Sequence, residues 1–105
     1  MDPIDRIRSA EERLNRAAKA LKDLEFALEA YEAIGADVEI VSGYYGSPDW
    51  FSDLEAYDSG KLGVDPTTLP AGILSEDAAY DLLTEYTDLA MEMSRIAGEA
   101  LAKEL

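Results

Sequence analysis

Residues 7–31 read IRSAEERLNRAAKALKDLEFALEAY. Ile7, Leu14, Leu21 and Leu28 recur every seven residues, and Ala10, Ala17, Leu24 and Tyr31 each fall three residues later. A strand alternates on a period of two, so this spacing predicts a helix whose apolar seam is held over four heptads. One flank of the seam is acidic (Glu11, Glu25, Glu32), and the other begins basic with Arg6 and Arg13. The helix is expected to run from about Pro3 to about Ile34. Asp2 can cap it, Pro3 suits the first helical position, and Asp5 sits in the first turn, where the helix dipole favours an anion. Gly35 follows the last periodic residue, where a left-handed C-terminal residue is expected.

The far end of the chain repeats the pattern. Ala79, Leu82, Tyr86, Leu89, Met93, Ile96 and Ala100 alternate steps of three and four, and Leu83, Ala90, Ala97 and Leu101 widen the stripe. A stripe that wide meets more than one neighbour. The spacing predicts a second long helix from about Glu76 to about Lys103. Ser75 is its expected cap, with Glu76 and Asp77 in the first turn. At ~1.5 Å per residue each helix is on the order of 40–48 Å long.

Residues 36–74 differ in kind, because Gly43, Gly46, Pro48, Gly60, Gly63, Pro66, Pro70 and Gly72 interrupt them. Ser47 followed by Pro48 is a helix start, and Trp50, Phe51, Leu54 and Tyr57 suit a short helix ending near Gly60. Val38, Val41 and Tyr45 have the spacing of another turn or two. Residues 60–72 read as an ordered but irregular loop. The expected fold is therefore all-α, a single helical domain over residues 1–105. Two long antiparallel helices (1–35 and 75–105) enclose residues 36–74, whose one or two short helices and irregular loop pack across them.

The chain has 105 residues with 23 acids and 9 bases, a net charge of -14. The acidity is uneven: residues 34–78 hold nine acids and only Lys61. Such a surface argues against binding nucleic acid or an anionic membrane, since both need clustered Lys and Arg. Cysteine and histidine are absent. Disulfides, thiolate nucleophiles, Cys/His zinc sites and imidazole bases are thereby excluded. The first twenty residues are densely charged and no apolar run approaches ~20 residues, so the expectation is a cytoplasmic protein with no membrane span.

Two blocks of the sequence carry a resemblance. Tyr44-Tyr45-Gly46-Ser47 with Trp50 and Asp53 is followed by Gly60 and Leu69. Then come Gly72-Ile73-Leu74-Ser75-Glu76-Asp77, Tyr80, Leu82 and Leu83. Over residues 40–93 this resembles a family of small uncharacterised bacterial proteins, a domain of unknown function with a YYGS…W…D block and a GVLSED block. The chain departs from that pattern at Ile73, where Val is usual, and at Ala71, where Arg is usual. The second change removes a cation from beside the acidic block. The resemblance implies an all-helical fold and a bacterial origin, and it implies no activity.

Three sets of residues are candidates for function. Tyr44, Tyr45, Trp50 and Asp53 can form an interaction surface, or their rings can pack the middle segment as core. Ser75, Glu76 and Asp77 are explained as a helix cap with dipole-favoured acids, and are otherwise an acidic corner. Glu29, Glu32, Glu55 and Asp58 have the E-x-x-E…E-x-x-D spacing of all-helical nucleoside triphosphate pyrophosphatases, in which paired carboxylates hold Mg²⁺. In a chain with 23 acids such spacing arises readily by chance. The leading expectation is a non-enzymatic helical interaction protein with no cofactor, acting as a homodimer or on another protein. The alternatives are a Mg²⁺-dependent nucleotide hydrolase using those four carboxylates, and an acidic decoy of a basic nucleic-acid-binding protein.

Overall fold

The computed structural model describes residues 2–105, and their regular structure is helical throughout. The chain forms two compact units, Met1–Ala36 and Asp37–Leu105.

The first unit is the helix α1, Pro3–Ala33. Its start follows from its first residues: the Asp2 carboxylate accepts the Asp5 N–H at 3.0 Å, with Pro3 at the first position. That bond to the charged form holds the Asp2 carboxyl below the usual Asp range. The end differs from expectation. Ile34 closes the helix in an ordinary right-handed conformation (φ -80°, ψ -4°), and its N–H reaches the Ala30 carbonyl at 3.1 Å. With the last turn satisfied in this way, Gly35 has no left-handed role and opens the next helix instead, α2, Gly35–Tyr44.

The left-handed positions lie further on. Gly46 (φ +75°) follows α2, and Gly60 (φ +73°) follows α3, Pro48–Asp58. At Gly60 the reversal is a Schellman motif: Gly60 N–H bonds Tyr57 O at 3.3 Å, and Lys61 N–H bonds Ala56 O at 2.9 Å. α3 begins as its sequence says, with Ser47 Oγ accepting the Trp50 N–H at 3.1 Å and Pro48 behind it. The stretch expected as irregular holds two single 3-10 turns, Pro66–Thr68 and Gly72–Leu74. Asp65 caps the first, taking the N–H and hydroxyl of Thr67 at 3.0 and 2.8 Å. The last helix, α4, spans Glu76–Leu101, and Ser75 Oγ accepts the Ala78 N–H at 3.2 Å.

The buried residues among those described are Val38, Trp50 and Ala79, one each from α2, α3 and α4. Trp50 is 4% exposed, with Tyr45 and Phe51 edge-on at 5.3 and 5.0 Å. Elsewhere many residues of the long apolar stripes are exposed, while Tyr31, Leu83, Tyr86 and Met93 are half-buried. α1 buries none of its residues: Leu14 and Leu21 are 61% and 67% exposed, and Leu89 and Ile96 of α4 are exposed too.

Candidate interaction site

The two sequence blocks that carry the resemblance meet in the second unit. Trp50 Nε1 donates to the Ile73 carbonyl at 2.9 Å, and Tyr45 Oη donates to the Glu76 carbonyl at 3.0 Å. Both bonds reach from the α2–α3 junction to the chain entering α4. There the Ser75 hydroxyl also closes on Gly72 O at 2.8 Å. The aromatic block thus fixes the turn and the cap that start the last helix.

Tyr44 points to a different neighbour. Its hydroxyl donates to Asp53 Oδ2 at 2.6 Å, a short charge-assisted bond. That bond pushes the Tyr44 phenol above its ordinary range, because the phenolate would lose the carboxylate as acceptor and face its charge. Beside the pair lies a cleft of about 230 Å³, lined chiefly by Tyr44, Asp53, Leu62, Leu69, Ile73 and Leu74. Ala71, where the sequence departs from the resembled pattern, contributes a methyl group to the same wall.

The expected interaction residues therefore divide. Tyr44 and Tyr45 are half-buried and Asp53 is exposed, while Trp50 lies beneath the surface and organises it from below. Ser75 is the cap expected of it, and Glu76 and Asp77 occupy the first turn as exposed acids. The four carboxylates with metal-like spacing are divided between elements, Glu29 and Glu32 on α1 and Glu55 and Asp58 on α3. Among the described residues no three acids, histidines or cysteines gather into a group that could hold a metal ion. Leu62, Leu69, Ile73 and Leu74 went unread as site residues. Their signal was apolar side chains persisting through a stretch rich in breakers, which a solvated loop does not need.

Fold and site together define a small all-α protein, with a tied junction of aromatic rings and helix start and with exposed apolar residues on its long helices. Residues 7–96 match DUF4298, a domain of unknown function, and the chain belongs to that family. The match takes in most of α1 as well as the two blocks. Nothing matches among curated proteins or among solved structures. No described helix is long and apolar enough to cross a membrane.

Proposed function

We propose that this protein is a non-enzymatic helical interaction module whose α1 seam pairs with a second copy of the chain. The observation that carries this reading is a four-heptad seam with no buried residue along the whole of α1. Burying a Leu or Ile side chain contributes about 1.5–3 kcal/mol. Four such residues at the central seam positions, Ile7, Leu14, Leu21 and Leu28, represent a large unrealised stabilisation. A helix that merely needed to be solvated would carry polar residues there. A cytoplasmic setting belongs to the same proposal.

Sedimentation equilibrium tests it. The chain of 11.5 kDa is expected to show twice that mass at micromolar concentration, and Leu14→Asp with Leu21→Asp is expected to return it to the monomer. A wild-type chain that stays monomeric at every concentration would overturn the reading.

A further inference from the structure

The cleft beside Tyr44 and Asp53 has room for one side chain. Small-molecule and cofactor sites usually occupy about 300–1,000 Å³, and this one holds about 230 Å³. Apart from Tyr44 and Asp53 its walls are aliphatic, and two of the lining residues, Leu62 and Leu69, remain 38% and 40% exposed, so the space opens outward. The hydrogen bonds from Trp50 and Tyr45 fix the backbone behind Ile73 and Leu74 in advance. A partner entering a preformed cleft avoids much of the ordering cost of binding.

Asp53 is the one acidic side chain in the lining. Its Oδ2 accepts the Tyr44 hydroxyl, and the residue is exposed, so the carboxylate is within reach of an incoming cation. The surrounding segment, residues 34–78, holds nine acids against the single base Lys61. That field repels anionic partners and speeds encounter with cationic ones.

We propose that this cleft is a docking site for a cationic peptide segment of a partner protein, one apolar side chain filling the cleft and an adjacent Lys or Arg meeting Asp53. The cleft lies wholly within the second unit and is independent of the α1 seam. A monomeric chain can still bind here, and a dimeric one can fail to.

The test is selection of displayed random dodecapeptides on the full chain, followed by titration of an enriched peptide by fluorescence anisotropy. Enriched peptides are expected to place an aliphatic or aromatic residue next to Lys or Arg. Leu62→Ser and Asp53→Asn are each expected to weaken binding by about tenfold or more. The Asn keeps an acceptor for Tyr44, and unchanged circular dichroism melts of both variants separate lost binding from lost fold. Glu104→Gln, which removes one charge at the C-terminal end, is expected to leave affinity within about twofold. No enrichment, or an equal loss in Glu104→Gln, would overturn the proposal, the latter because the attraction is then diffuse charge. Self-association abolished by Leu62→Ser would also overturn it, assigning the cleft to the basic stretch of α1 (residues 13–22) from a second copy.

Discussion

Trp50 donates its indole N–H to Ile73 O and is the largest of the buried side chains among the described residues. Phenylalanine in its place keeps an aromatic ring but leaves the carbonyl without that donor and the site short of volume. Trp50→Phe is therefore expected to cost on the order of 1–3 kcal/mol, read as a lower urea midpoint at constant slope. Tyr44 gives a prediction in pH instead. Its phenol is raised above the unfolded value of about 10 by the bond to Asp53. The stabilising contribution is therefore fully present below pH ~10 and is lost as pH rises through the higher folded value. Stability measured from pH 9 upward should fall above pH ~10, and Tyr44→Phe should flatten that fall. A slope unchanged in the variant would show that the phenol is not coupled to the fold.

At the scale of elements, the glycines of α4 and of the α3 terminus should respond in opposite directions. Gly98 sits inside α4, and a Cβ built there meets nothing within 4 Å. Gly98→Ala should stabilise by about 0.5–1 kcal/mol through helix propensity and a less flexible unfolded chain. Gly60 is equally uncrowded but holds φ +73°, so Gly60→Ala should cost about 1–2 kcal/mol. Midpoints that moved the same way in both would refute the contrast. The elements themselves were largely legible: Asp2-Pro3, Ser47-Pro48 and Ser75 each start a helix through a side chain that accepts a nearby N–H. Gly35 was misread because its neighbour Ile34 can end a helix without leaving the right-handed region, a choice that composition does not mark. The cleft was illegible for another reason. Leu62 and Leu69 come to it through non-periodic turns, and only Gly60, Gly63 and the Asp65 cap decide where those turns carry them.

For the whole molecule, charge sets the response to salt. The ion pairs Lys19–Asp23, Arg95–Glu92 and Arg95–Glu99 have side chains more than half exposed, and each contributes at most a few tenths of a kcal/mol to 1 kcal/mol. Screening weakens these three attractions and at the same time relieves the repulsion of a net charge of -14. The repulsive side is larger, so the thermal midpoint should rise with NaCl. MgCl₂ at matched ionic strength should give no further gain. An excess with Mg²⁺, removed by Glu55→Gln or Asp58→Asn, would instead point to a specific ion site.

Trp50, deep in the second unit, is the only tryptophan in the chain, while α1 contains none. The molecule thus carries two spectroscopic reporters with different territories. Indole emission follows the junction at Ile73, whereas far-ultraviolet circular dichroism reports every helix, the 31 residues of α1 among them. If α1 is held by pairing with a second copy, mass action moves its transition upward with protein concentration. Emission curves are then expected to superimpose across a dilution series while ellipticity curves spread apart. Coincident curves at every dilution would mean that one cooperative transition, independent of any partner, governs both units.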